Sequence, residues 1–556
     1  MAENITITYD EGQTVSVNKG VSLDEILSML PPREKIPVAA TVNGALQELD
    51  YPIYIDSTVK WVDFNCNLGW RIYQRSLIFL LLLAVKELYP ERRLWVSHSL
   101  SEGLFCRLDG GDGLVTNAQV KALSAKMRAY VEADIPFERS MLSLSDAVAF
   151  FRANGNEKKA ELIEERNEDY VAIYTVGNVS EYLFGRMTTR AGVLTQFALL
   201  PFEHGFVLRL PARRYLGCMD RCRIVAPQLH ATLQKYGEWS SLMGVQTVSD
   251  LNQVVQAGQR EFTDLVLVSE NLYERSLHDI TDQILEDFPT ARLIMLAGPS
   301  SSGKTTSAKR LSIEFRTMGI KPVMISLDDY FVDRDKTPLD KWGKPDYEGL
   351  AALDLKLFQQ NMRTLLAGYE AALPRYDFIQ GKSQPEHRLI KLEDDQVLIV
   401  EGIHALNEKL LQGIPPEMVR KVFVSALTQL NLDAYTPVSG SDNRLIRRMV
   451  RDMQFRGMSP IATLEYWDEV RRGEHHNIFP WQERADFFIN SALIYELPVL
   501  RPLIEDSLAA VTPEQEGYLE ARRMLRLIRY FAPAPADIIP RNSILQEFIG
   551  NSIFDV

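Results

Sequence analysis

Ten residues of the sequence, Ala297–Thr306 ("AGPSSSGKTT"), have the types and spacing of a phosphate cradle. Gly298, Gly303, Lys304 and Thr305 satisfy the pattern G-x-x-x-x-G-K-[ST]. Glycine lets the backbone turn successive N–H groups inward around an anion. A helix starting directly afterwards adds its positive end. Lys304 can reach the outer phosphates of a nucleoside triphosphate, and the Thr305 hydroxyl can ligate Mg²⁺. The candidate nucleotide-binding residues are therefore Gly298, Ser300, Ser301, Ser302, Gly303, Lys304, Thr305 and Thr306. The flanks agree with this. "LIML" (Leu293–Leu296) reads as a buried strand, Ala308, Leu311, Phe315 and Met318 recur on one helical face, and Gly319 is a stop signal.

Later strand ends supply acids. "SLDDYF" puts Asp328 and Asp329 directly after the apolar "PVMIS", at the edge where open parallel sheets bind ligands. A carboxylate there can accept a proton from an attacking hydroxyl and help hold Mg²⁺. "VLIVEG" ends an apolar strand in Glu401, a second acid for the metal. Thr305, Asp328 and Glu401 are thus the candidate metal ligands. "SDNRLIRRMVRDMQFRG" reads as a helix with Arg444, Arg448 and Arg451 along one side and Arg447 adjacent, opposite Leu445, Met449 and Met453. Two readings stand: a solvated charged face, or a mobile helix whose arginines neutralise a phosphate in transfer. Under the second, Lys304, Asp328, Arg448 and Arg451 are the catalytic candidates.

These elements must sit on alternating strands and helices. "LIML", "PVMIS", "QVLIVEG", "KVFVSA" and "ADFFINSAL" are short apolar strands between helical patterns, which predicts an α/β unit with a mostly parallel sheet. Across residues 290–500 the order "GPSSSGKTT", "SLDDYF", "PRYDF", "VLIVEGIHAL", "RLIRRMVRDMQFRG" resembles the uridine kinase/phosphoribulokinase family. The resemblance implies ATP- and Mg²⁺-dependent phosphorylation of a nucleoside 5′-hydroxyl. It implies Asp328 as base and Glu348 as the grip on the ribose hydroxyls. Tyr376 and Phe378 would flank the nucleobase, with Arg448, Arg451 and Arg456 in the lid. The sequence departs from the family where a base-reading histidine follows "YDF", since Gly381 stands there. It departs again at Met458, where the lid usually has a second arginine, and at Tyr466, where a glutamine is usual. His387, His404, His475 and His476 are the nearby groups able to substitute. The inserted stretch Arg471–Asp486 is expected to reshape the pocket.

The N-terminal half reads differently. Residues 1–65 follow a ββαββ order, with "ITITY" and "TVSV" alternating and an Asn-Gly turn inside "PVAATVNGALQEL". This resembles the TGS domain, a β-grasp module. Residues 66–224 resemble the second, editing-type α+β domain of threonyl- and alanyl-tRNA synthetases, on "LSEGLFCRLDG", "KMRAYVEADIPFER" and "ALLPFEHGFVLRLP". The synthetases' metal-type His/Cys cluster falls here on Arg75, Phe79, Leu183 and Met187, none of them a plausible ligand. A scaffold or binding module is expected, not editing chemistry. Residues 225–289 read as a helical connector, and 501–556 as a helical extension with a docked apolar end.

Composition sets the outer bounds. The chain has 46% hydrophobic and 24% charged residues and a net charge of −13, against general binding to nucleic acid or anionic membrane. Its cysteines, Cys66, Cys106, Cys218 and Cys222, form neither a zinc framework nor a disulfide scaffold, so a reduced, cytoplasmic protein is expected. The apolar run Leu77–Val85 is too short to span a bilayer and is expected in a buried helix. The expected partner is a nucleoside or related small molecule. RNA binding through the N-terminal half and homo-oligomerisation stay open. Two alternatives to a nucleoside kinase are a kinase for another sugar-like alcohol and an RNA- or ribosome-associated, nucleotide-gated module.

Overall fold

The computed structural model describes residues 4–10, 12–33, 36–100, 103–110, 114–166, 168–211, 226–339 and 343–555. Cys218 and Cys222 lie outside the described residues, as does the side chain of His387. In the first unit Asn4–Tyr9 pairs antiparallel with Gln13–Asn18 and parallel with Ser57–Asp63. Pro37–Val42 and Ala45–Gln47 complete the five-stranded sheet. Alternation drives this: Ile5, Ile7 and Tyr9 point inward against Leu23 and Ile26 of the one helix, Leu23–Met29. Ser22 caps that helix in a reciprocal capping box with Glu25. The result is the expected β-grasp arrangement.

The second part is built on the helix Asn67–Leu88. It packs with an antiparallel four-stranded sheet running Ala198–Phe202, Gly205–Arg209, Gly103–Asp109, Arg93–Leu100. This is the buried helix expected from the apolar run Leu77–Val85, and it extends well beyond the run. With its flanks it has 22 residues, and among the described residues it is the one helix long and apolar enough to cross a membrane. Yet every residue from Ser76 to Val85 is buried against protein, as in a core helix. Phe79, Leu183 and Met187 join the same core, and the Arg75 guanidinium donates to the Arg186 carbonyl. Where a metal cluster would need ligands, the chain has packed side chains.

Three helices, Pro227–Leu242, Val248–Ala257 and Gln259–Leu285, lead into the last unit. Its five strands are all parallel, in the order Lys321–Ser326, Gln396–Glu401, Leu293–Ala297, Val419–Ser425, Phe487–Asn490. Leu293–Ala297 is central and wholly buried, and each such Leu or Ile contributes about 1.5–3 kcal/mol. The central strand hands the chain to the cradle at the sheet's carboxyl edge, where ligand sites of such sheets lie.

Candidate active site

The loop after the central strand turns sharply. A Cβ at Gly298 would lie 2.1 Å from the Val424 carbonyl oxygen, so only glycine fits against that strand. Gly303 closes the loop in the left-handed region, φ 78°. The helix Lys304–Thr317 then begins, fixed by Ser307, whose hydroxyl donates to the Gly303 carbonyl at 2.7 Å. Lys304 Nζ donates to the Pro299 carbonyl at 3.1 Å, folded back across the loop.

Three acids face this lysine. Register places Glu401 beside Leu296 on one side and Ser326 on the other. Ser326 Oγ donates to Glu401 Oε1 at 3.1 Å and accepts the Asp328 N–H at 3.3 Å, so one hydroxyl orients both acids' segments. Burial raises the Glu401 pKa from 4.5 to about 7; Lys304 pulls it down and Asp328 pushes it up. Asp328 stays open to solvent but sits inside the cleft. The surrounding protein raises its pKa first, Lys304 opposes this, and Asp329 adds to it. Burial likewise raises Glu348, with Lys304 and Arg448 opposing and Glu474 and Asp328 adding. Lys304, Asp328, Glu348 and Glu401 therefore share one field.

That field tests the metal expectation. Asp328 and Glu401 are crowded acids with Lys304 as the cation acting on both. A divalent ion between them would relieve the repulsion. Among the described residues no group of three His, Cys, Asp or Glu is poised to hold a metal alone. Mg²⁺ suits this, since it takes one or two carboxylates plus substrate phosphates and water.

The arginine helix, Gly440–Arg456, departs from the exposed stripe read in the sequence. Arg444 and Arg447 are buried, at 3% and 0% exposure. Arg444 Nη2 pairs with Glu474 Oε2 at 2.9 Å, and its Nη1 donates to the Ser300 carbonyl at 2.9 Å. Arg447 pairs with Glu496 and donates to the Ser491 carbonyl at 2.6 Å. The partners stand on later elements, so the charges looked solvated in the helix's own sequence. Arg448 reaches the cradle, donating to Ser300 Oγ at 2.8 Å. Arg451 is partly buried 3.8 Å from Asp452; burial first, then Arg456, lowers its pKa. Arg456 is half-exposed and pairs with Asp452 at 3.2 Å.

Of the other expected substrate residues, Tyr376 is tied to the strand-end acids by its backbone N–H, which donates to Asp329 Oδ1 at 3.3 Å. Tyr376 is buried and Phe378 exposed, their rings 5.0 Å apart edge to face. At Gly381 a Cβ would meet the Arg334 side chain at 2.8 Å, so Arg334 fills the room beside the position where the family has histidine. His404 is buried, and burial lowers its pKa to about 4, which keeps it neutral. His475 and His476 are exposed on the helix Pro460–Asn477.

Sequence reasoning missed three acids. Glu474, within the inserted stretch, accepts the Ser300 N–H at 3.1 Å. Burial opposes its charge, but Arg444 and the cradle N–H hold its pKa below the ordinary value. Asn477 of the same helix donates to the Glu348 carbonyl at 2.8 Å, so the inserted stretch touches the Glu348 segment. Glu496 anchors Arg447, and Glu547 touches Thr306. The inserted stretch was the one visible signal, and it pointed only to Glu474.

Residues 293–494 match the Phosphoribulokinase / Uridine kinase family. That segment carries every acid and arginine of the cleft named above except Glu496 and Glu547. The chain is also similar to threonine–tRNA ligases. That of Listeria monocytogenes serotype 4a is 29% identical over 196 residues, 35% of this chain and 30% of the ligase. That of Symbiobacterium thermophilum is 28% identical over 202 residues, 36% and 31% respectively. The chain thus spans about a third of the length of these curated relatives. Among solved structures it is similar to one described as a possible uridine kinase from Bacillus stearothermophilus. The identity is 22% and the TM-score 0.25, with 39% of this chain and 98% of that one covered. D-glycerate 3-kinase from Cryptococcus neoformans var. grubii is 15% identical with a TM-score of 0.20, over 52% and 87%.

Proposed function

We propose that the protein transfers the γ-phosphoryl group of ATP to the 5′-hydroxyl of a nucleoside. The observation that carries this is the placing of Glu401 and Asp328, both tied through Ser326, at the strand ends beside the Lys304 loop. A phosphoryl acceptor needs its proton removed as the bond forms, and Asp328, with its raised pKa and solvent access, is the group to take it. The half-buried Glu348 carboxylate, beside Asp328 and Glu474, would favour a neutral polyol over an anionic sugar phosphate, because clustered carboxylates repel phosphate. The exposed Phe378 ring, with Tyr376 buried behind it, would offer a face to a base. Arg448 and Arg451 add positive charge beside the transferring group, and Arg456 lies at the outer end of the same helix. Thr305, Asp328 and Glu401 would hold Mg²⁺, which supplies charge neutralisation for the phosphates. The cytoplasm is the expected compartment.

The test is transfer of label from ATP to a panel of nucleosides and small sugar alcohols, with Asp328→Asn alongside. A labelled nucleoside monophosphate, lost in Asp328→Asn at unchanged circular dichroism, supports the reading. Label on a non-nucleoside alcohol alone moves it to another kinase. The similarity to threonine–tRNA ligases favours a second reading, a nucleotide-gated module that binds RNA through the N-terminal half. Hydrolysis stimulated only by tRNA or ribosomes would establish that instead.

A further inference from the structure

The cradle is already in contact with a segment of this chain far from it in sequence. Glu547 Oε2 accepts hydrogen bonds from Thr306 Oγ1 at 2.7 Å and from the Thr306 N–H at 3.4 Å. Ile544 lies against Gly303 so closely that a Cβ there would meet its Cδ1 at 2.4 Å. The Phe548 ring lies over the buried Arg447 guanidinium at 4.9 Å. Ser543 Oγ is 3.3 Å from the Tyr495 hydroxyl. Ile544, Leu545 and Phe548 are fully buried by these contacts and by the helices around them.

Two of these contacts, those of Glu547 and Phe548, have the chemistry of a nucleotide part. The N–H groups at the start of the cradle's helix are donors for the inner phosphates, and here a carboxylate holds one of them. Beyond the inner phosphate a nucleotide places a flat base, which stacks well on a guanidinium. Here an aromatic ring takes that guanidinium. Lys304, by contrast, hydrogen-bonds the Pro299 carbonyl of its own loop. Among the described residues no hydrogen bond of this segment reaches Lys304 or Asp328, although the Glu547 carboxylate adds to the field that raises Glu401.

We propose that Ser543–Ile549 is an internal competitor of the donor nucleotide. It imitates the inner phosphate with Glu547 and the base with Phe548, and it leaves the outer-phosphate end free. ATP then binds only as the segment withdraws, so the resting chain has weak nucleotide affinity and turnover depends on whatever frees the segment. This rests on the reading of the cradle as the ATP site.

Calorimetry on the full chain tests it, with ATP and inorganic pyrophosphate as probes, on wild type, Glu547→Gln, Phe548→Ala and Lys304→Ala. Pyrophosphate needs only the free end, so it should bind wild type and both segment variants alike and fail with Lys304→Ala. ATP should bind Glu547→Gln and Phe548→Ala at least ten-fold more tightly than wild type. In wild type, ATP but not pyrophosphate should speed hydrogen exchange in the 543–549 peptide. Glu547 is only half-buried, so its glutamine variant keeps the test open if Phe548→Ala misfolds. Equal ATP affinity in wild type and Glu547→Gln, with exchange in 543–549 unchanged by ATP, overturns the competitor and leaves the ATP site standing. Absence of both ligands from wild type and both segment variants overturns the ATP site and the competitor with it.

Discussion

Glu401→Gln should make the resting protein more stable while ending its chemistry, and only at high pH should the gain appear. Burial moves the Glu401 pKa from 4.5 to about 7. In that interval the folded chain keeps a proton that the unfolded chain has released. Folding therefore takes up a proton, and stability falls as pH rises from 4.5 to 7. At ~1.4 kcal/mol for each pH unit between the two values, the full cost above pH 7 is at most about 3–4 kcal/mol. Below pH 4.5 both states are protonated and the cost vanishes. Glutamine is neutral throughout and can still accept the Ser326 hydroxyl. The variant should thus melt several degrees above wild type at pH 8 and together with it near pH 4.5. Thermal melts at the two pH values measure this, with hydrogen exchange of the 396–401 peptide reporting on the strand itself. A variant that melts below wild type at pH 8, or gains equally at both, refutes the argument that Glu401 is held charged against its surroundings.

Other outcomes follow from the same geometry. Lys304→Ala should lower phosphoryl transfer by about 100-fold or more, with the fold intact by circular dichroism, because a cation facing three acids is lost where charge builds up. Asp328→Asn should cost about 10²–10⁴-fold in kcat if it takes the acceptor's proton, with a smaller effect on nucleotide binding by calorimetry. Glu474→Gln strands the buried Arg444 and loosens Ser300, so it should destabilise by about 3–5 kcal/mol in denaturant titration.

The cradle was readable because its parts are adjacent: a buried strand, two glycines with steric reasons to be glycine, and a helix start lie within fifteen residues. Asp328 and Glu401 were readable for a similar reason, each closing its own apolar strand. The β-grasp sheet declared itself through strict alternation at Ile5, Ile7 and Tyr9. What escaped depends on distant pairs. Arg444 and Arg447 look solvated until Glu474 and Glu496 arrive from 30 and 49 residues onward. Glu547 bonds a residue 241 positions away, and no local period or spacing encodes that. Leu77–Val85 announced its buried helix but not that helix's length, because an apolar run counts only its own residues while the helix around it continues in both directions.

One buried lysine bears on how the two halves can be handled. Lys159, in the ligase-like half, lies 2.9 Å from Glu181 of its own half and 2.7 Å from Asp433 of the kinase unit. Beside it Val96 and Ala434 share a backbone hydrogen bond of 2.8 Å, and Asn431 donates to the Val96 carbonyl at 2.7 Å. A kinase half excised at residue 226 would carry Asp433 and Asn431 on a bare flank, and the remnant would keep Lys159 with one acid fewer. Neither fragment is then a faithful stand-in for the whole. A gene split between the two would have to rebuild this seam before either product behaved as it does when joined.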